Sequence, residues 1–225
     1  GQTSSGKTHT MIGSYPENPG IALLSVIDAF QFMRDSGRDY LLRVSMCEIY
    51  NEVVRDLFNT KNKNLKVFGD PIRGSKIAGI TIKTVTSTDQ VFNLLFKGFA
   101  NRSTGKTKMN ENSSRSHTVF QLHVQNIDAD AIDGDNAESE APAFVSTLNL
   151  VDLAGSERTM KVSAGKASRM KEGININRSL LTLGKVIQKL VNEPKGHIPY
   201  RDSQLTRILA KSLGGNAQAA VICTL

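Results

Sequence analysis

Residues Gly1-Gln2-Thr3-Ser4-Ser5-Gly6-Lys7-Thr8 fit the pattern Gly-x-x-x-x-Gly-Lys-[Ser/Thr]. This stretch constrains the chain more than any other. Glycines let a backbone wrap closely enough for its N–H groups to point inward at a polyphosphate. In that setting Lys7 reaches the β- and γ-phosphates and Thr8 offers its hydroxyl to Mg²⁺. A helix over residues 7–13 adds the positive end of its dipole. By itself the pattern recurs in unrelated proteins, so its context decides its meaning: a strand before it and a helix after it. The chain starts on the first glycine, with no Met and no charged-then-apolar leader, which leads us to expect a fragment lacking its N-terminal part.

The 225 residues suffice for one domain with a sizeable core. Lys and Arg number 28 against 21 Asp and Glu, a formal charge of +7. Asp128, Asp130, Asp133, Asp135, Glu138 and Glu140 fall together without an intervening base, so the remainder is more basic than the total implies. That balance favours an acidic partner: nucleic acid, an anionic membrane or an acidic protein surface. Cys47 and Cys223 lie in apolar runs without metal-like spacing and read as reduced core residues of an intracellular protein. No uncharged apolar run approaches the ~20 residues that cross a bilayer.

Along the chain, Tyr15-Pro16-Glu17-Asn18-Pro19-Gly20 breaks the first helix. Ile21 to Arg34 predicts a helix with Leu23, Leu24, Ile27 and Phe30 on one side, stopped at Gly37. Tyr40 to Tyr50 predicts a mostly buried strand, whereas Val53 to Phe58 suits a short helix or a strand equally. Short β-branched runs within 62–86 predict small antiparallel edge strands. Ser87 with Gln90 forms a capping box for a helix ending near Arg102. Arg115 to Ile127 alternates as a strand, 128–141 reads as an acidic loop insertion, and Phe144 to Leu153 reads as a central strand. Ile176, Leu180, Leu183, Ile187 and Leu190 step by 4, 3, 4 and 3 and predict a long helix ended by Pro194 and Gly196. Asp202 is the expected cap of the next helix, Gly214-Gly215 its stop, and Ala219 to Leu225 a last strand. Alternating strands and helices indicate an α/β sandwich.

Two further stretches strengthen the phosphate-loop reading: Asn110-Glu111-Asn112-Ser113-Ser114-Arg115-Ser116-His117 and Asp152-Leu153-Ala154-Gly155-Ser156-Glu157. A strand ending in Asp, with Gly three residues on, suits a nucleotide switch. The Asp holds Mg²⁺ directly or through water, and the Gly N–H bonds the terminal phosphate only while it is present. Together GQTSSGKTHTM, MNENSSRSH, VDLAGSE and YRDSQLTRIL…SLGGNA resemble the motor domain of a kinesin from residue 1 to 225. Within the family, FVSTLNLVDLAGSER and KEGININRSL most resemble the centromere-associated, protein-E-like members.

The resemblance implies a three-layer P-loop NTPase sandwich, its central sheet mixed but mostly parallel, with helices on both faces and N-terminal strands missing. It implies an ATP- and Mg²⁺-dependent engine that couples hydrolysis to binding and movement along microtubules. Gly1, Gln2, Thr3, Ser4, Ser5, Gly6, Lys7 and Thr8 would cradle the phosphates, with His9 beside the adenine. Thr8 and Ser114 would ligate Mg²⁺, and Asp152 would hold it through water. Asn110 and Ser113 would place the attacking water, and Gly155 would sense the γ-phosphate. Arg115 and Glu157 would form a latch closing the two switches, Glu157 also relaying a proton. Lys161, Lys171, Arg178, Arg201 and Arg207, with Lys166 and Arg169 nearby, would meet the acidic surface of tubulin. Gln204 stands where the family usually carries Lys, and Val162-Ser163 replaces a common Thr-Gly, both weakening that face.

By the same resemblance the protein is expected in the cytoplasm on the microtubule cytoskeleton, or on the spindle or kinetochore. It is expected to pair as a homodimer through a stalk absent here, without nucleic acid or membrane insertion. The chain alone, lacking its first strands and its neck, is expected to be inactive. The alternative is a non-motile microtubule-binding module that has lost turnover. A GTPase switch shares the same loops, but no Asn-Lys-x-Asp guanine-reading motif is present.

Overall fold

The computed structural model describes the backbone of residues 1–70, 74–103, 115–127, 145–157 and 167–224, and their side chains except at 70, 103, 145 and 167–177. The chain opens with α1 (Lys7–Ile12), the hairpin of β1 (Gly13–Ser14) and β2 (Asn18–Pro19), and α2 (Ile21–Ser36). The strands β3 (Tyr40–Tyr50) and β4 (Val53–Asp56) follow, then β5 (Lys63–Leu65), β6 (Val67–Asp70), β7 (Gly74–Ile77) and β8 (Lys83–Val85). Next come α3 (Thr88–Ser103), β9 (Ser116–Asn126) and β10 (Val145–Asp152). The end holds α4 (Ala167–Asn192), a 3₁₀ turn at Tyr200–Asp202, α5 (Gln204–Ile208) and α6 (Ala210–Gly214).

The main sheet runs β10-β9-β3-β4-β5, with β8 beside the first half of β3. The α/β class is as expected, but every pairing among the described residues is antiparallel, where a mostly parallel sheet was expected. The cause is local. Asn51 and Glu52, both at positive φ, turn β3 directly into β4, and a two-residue turn can only join antiparallel strands. The same hairpin resolves Val53–Phe58 in favour of a strand.

Side-chain alternation splits the core into two layers. Even positions Leu42, Val44, Met46, Phe120, Leu122 and Leu150 face α2 and α3, meeting Leu23, Val26, Phe30, Val91 and Leu95. Odd positions Cys47, Ile49 and Val119 face the other way, meeting Leu205, Ile208 and Leu209, with Leu183 of α4 alongside. The capping box of α3 is offset. Ser87 Oγ accepts from Gln90 N at 3.3 Å, but Gln90 Oε1 accepts from Thr86 N rather than from Ser87.

Three expectations need correction. The cap of α5 is Ser203, whose Oγ accepts from Thr206 N at 3.2 Å; Asp202 lies inside the preceding 3₁₀ turn. Residues 217–224 form no strand, because no described neighbour supplies a ladder, and Val221 and Ile222 stand exposed. Cys223 shares that exposure, while Cys47 is buried as expected, its thiol pushed up to about 12 by burial and then by Asp56. Among the described side chains of α4 the buried ones are Ser179, Thr182 and Val186, whereas Ile187 is exposed. Leu183 and Leu190 of the apolar pattern still pack against the core, so Ile187 is the member of it turned outward, and Ser179 contacts His117 Nε2.

Gly98 lies inside α3 where an added Cβ would come within 2.2 Å of Met46 Sδ. Met46 is fully buried, so its side chain can yield only by displacing its core neighbours. Gly98→Ala, favoured by helix propensity, is therefore expected to destabilise by about 1–3 kcal/mol in denaturant unfolding, with recovery when Met46 is shortened to Val.

Candidate functional site

Ser4 and Gly6 adopt left-handed backbone, φ 65° and 88°, which curls residues 1–6 into a concave loop ahead of α1. A Cβ at position 6 would meet no atom, so it is the dihedral rather than space that asks for glycine there. Lys7 Nζ donates to the carbonyl oxygens of Gly1, at 2.9 Å, and Gln2. The cation therefore sits across the mouth of its own loop. His9 is exposed on α1.

Behind the loop lies a chain of buried polar groups. Thr8 Oγ1 donates to Asp152 Oδ2 at 2.7 Å. Arg102, at the end of α3, forms an ion pair with the same oxygen at 2.5 Å. Its Nε and the second terminal nitrogen donate to Ser116 Oγ and Ser116 O, at 3.1 and 2.7 Å. Arg102 and Asp152 are each only 3% exposed. Asp152 Oδ1 is buried and accepts no hydrogen bond among the described residues. A carboxylate with one lone oxygen beside a threonine hydroxyl, next to a phosphate-type loop, suits a hard divalent cation that keeps waters of its own. Among the described residues no cluster of three or more His, Cys, Asp or Glu side chains stands ready to hold a metal, and such a site needs none.

The Asp-Leu-Ala-Gly segment touches the loop directly. Ser156 N donates to Gly1 O at 3.2 Å, and Thr3 N donates to Glu157 Oε2 at 2.9 Å. The Thr3 hydroxyl donates to the other Glu157 oxygen. Burial alone would raise the Glu157 carboxyl. Bonds from the Thr3 hydroxyl and from the backbone N–H groups of Glu157 and Thr3, and the charge of Lys7, outweigh it and hold the group below the usual carboxylate range. Gly155 leaves the room this requires, since a Cβ there would fall 2.3 Å from Glu157 Oε2.

The opposite side of β9 carries His117, buried at 2%. Ala154 N donates to its Nδ1 at 3.0 Å, so the proton lies on Nε2, which contacts Ser179 Oγ at 2.7 Å. Burial and the Arg102 charge lower its pKa to about 4.

Of the residues singled out in the sequence, the structure brings together Gly1, Gln2, Thr3, Lys7, Thr8, Asp152, Gly155 and Glu157. Asn110, Ser113, Ser114, Lys161 and Lys166, the side chains of Arg169 and Lys171, and the acidic run 128–141 lie outside the described residues. Arg178 and Arg201 are exposed. Arg207 is half-buried, with its Nε shielded from solvent, so it is less available than its charge suggests. Burial raises the Glu52 carboxyl above its ordinary value, and the Gln204 N–H and then the Arg178 charge offset only part of that rise. Glu52 also accepts from Gln204 N at 2.7 Å, at the start of α5.

Sequence reasoning missed two residues. Arg102 closes an ordinary-looking helix and carries no motif. His117 ends a quoted motif without a role. For His117 the available signal was parity: it alternates with Ser116 on a strand whose two faces are both covered.

Truncating Arg102 strands the Asp152 carboxylate in the core. Arg102→Ala should cost about 3–5 kcal/mol in chemical unfolding, and adding Asp152→Asn should recover part of it. His117 gives a pH signature. Its folded pKa lies below its unfolded one, so the unfolded state binds the extra proton first. Stability it supports above pH ~6.5 should be lost, on the order of 3 kcal/mol, as pH falls towards about 4. His117→Asn should flatten that part of the profile measured by urea unfolding.

A family model described as Kinesin motor domain matches residues 1–225. Kinesin-related protein 11 of Dictyostelium discoideum is 48% identical over 228 residues, covering 100% of this chain and 33% of that protein. Kinesin-like protein KIN-7L of Oryza sativa subsp. japonica is 50% identical over 227 residues, covering 100% of this chain and 34% of that protein. A solved structure titled as that of a fast kinesin, with implications for ATPase mechanism and interactions with microtubules, superposes at a TM-score of 0.78 with 34% identity. That match covers 94% of this chain and 58% of the other. The chain thus spans about a third of the length of these curated relatives.

Proposed function

We propose that this chain, which belongs to the kinesin motor-domain family, is the nucleotide-handling part of an ATP-hydrolysing microtubule motor. The observation that carries the reading is the meeting of two segments far apart in sequence, 1–8 and 152–157: Thr8 and Asp152 share a hydrogen bond, and Glu157 reaches back to Thr3. Such an arrangement suits phosphoryl transfer, where positioning and charge placement supply most of the rate.

In this reading the loop 1–8 and Lys7 hold the phosphates. Thr8 and Ser114 would hold Mg²⁺, with Asp152 holding it through water by its unpartnered oxygen; when bound, the ion would neutralise charge building on the phosphates. For Lys7 to serve, it must leave the carbonyls of Gly1 and Gln2. Likewise Glu157 must release Thr3 before it can pair with Arg115 and accept a proton from a water placed by Asn110 and Ser113. Gly155 N–H then bonds the terminal phosphate while it is present. His9, exposed on α1, would lie beside the base. Movement of the segment 153–157 would be passed to α4, whose exposed Arg178, with Arg201 nearby in the chain and Lys161, Lys171 and Arg207, supplies positive charge for an acidic filament.

The finer points rest on motif likeness: a place among centromere-associated kinesins, a stalk-mediated homodimer, and work on the spindle or kinetochore. The curated relatives carry Dictyostelium and plant kinesin names and do not single out that subfamily. The acidic segment 128–141 is read as an insertion in the motor domain, lying away from the filament because it would repel it.

The test is Glu157→Ala in the full-length protein. ATP affinity should stay within about threefold of wild type, while turnover with microtubules should fall by at least about a hundredfold, the scale of a lost proton-transfer group. Normal turnover in this variant would remove Glu157 from the chemistry, and a wild type that hydrolyses no ATP would favour a microtubule-binding module without turnover.

A further inference from the structure

Ser116 and His117 are neighbours on β9 and point to opposite faces of the sheet. Ser116 holds Arg102 and, through it, Asp152 on the α3 side. His117 holds the next stretch from the α4 side: its Nδ1 accepts from Ala154 N, two residues beyond Asp152, and its Nε2 meets Ser179 of α4. His117, Ser179 and Ala154 are each at most 2% exposed, so both bonds are shielded from solvent and costly to lose. Ser179 adjoins Arg178, an exposed base that senses Glu52 on the β3–β4 turn.

We propose that His117 is a positioning residue that couples the phosphate-facing segment 153–157 to α4, with Ser179 as its contact on the helix. A rigid ring with an acceptor at one end and a donor at the other transmits displacement in both directions. If Ala154 moves, the ring must follow or lose a buried bond, and Ser179 moves with the ring. If α4 is shifted by a filament, the same ring presses on the segment that carries Gly155 and Glu157. The placement also explains why a serine, rather than an apolar residue, occupies the inner face of α4. This inference rests on the motor reading above.

The experiment compares wild type, Ser179→Ala, Ser179→Thr and His117→Ala in the full-length protein, by steady-state ATPase with and without microtubules. Amide hydrogen exchange over residues 150–157 provides a second arm. Ser179→Ala is expected to keep basal turnover and KM for ATP within about twofold, yet to lower microtubule-stimulated kcat about five- to tenfold, the weight of one buried hydrogen bond. Ser179→Thr, which retains the hydroxyl, should restore most of it. His117→Ala should speed exchange at the Ala154 amide about tenfold or more, because that N–H loses its acceptor. Full stimulation in Ser179→Ala would overturn the coupling, as would unchanged Ala154 exchange in His117→Ala. A wild type that microtubules do not stimulate would overturn the motor reading instead, and the exchange arm would still decide whether His117 holds the segment.

Discussion

The buried pair of Arg102 and Asp152 is the interaction on which the rest of the site depends. It joins the end of α3 to the end of β10, and its partners extend to Ser116 on β9 and Thr8 on α1. Charges so deeply buried are costly unless fully paired, and this pair is held from both sides. Arg102 places at least three donors on partners, while Asp152 takes two on one oxygen and leaves the other open. The open oxygen is the one available to a cation. The ion pair fixes the carboxylate without consuming it.

Side-chain alternation along β9 makes this arrangement possible. Because β9 is covered on both faces, successive residues can serve different layers: Ser116 the α3 layer, His117 the α4 layer. The strand end next to the switch segment is therefore gripped from two sides at once. By contrast, the contacts between the phosphate loop and residues 156–157 are made by exposed or half-buried groups. The tight grip lies behind the site and the exchangeable bonds lie in front, as a device that opens and closes around a ligand requires.

Much of this was legible in the residues. The apolar runs placed α2, β3, β9 and β10 within one or two residues of their observed bounds, because hydrophobic periodicity is a local property. The phosphate loop, Asp152, Gly155 and Glu157 were found by motif, and they do converge. What the sequence hid was tertiary. Nothing local says that Arg102 turns inward, that Ser179 rather than Ile187 faces the sheet, or that Ser203 outcompetes Asp202 as a cap. The expectation of a strand at 219–225 failed for a related reason, since β-propensity becomes a strand only where a neighbour supplies the ladder.

A crystal structure of the protein with Mg²⁺ and a non-hydrolysable ATP analogue tests the central claim most directly. The account predicts Lys7 turned from the carbonyls of Gly1 and Gln2 onto phosphate oxygens. Thr8 and the free oxygen of Asp152 should face the cation, with the Arg102–Asp152 pair unbroken. A nucleotide bound away from residues 1–8, or an Asp152 that abandons Arg102 to reach the metal, would contradict it.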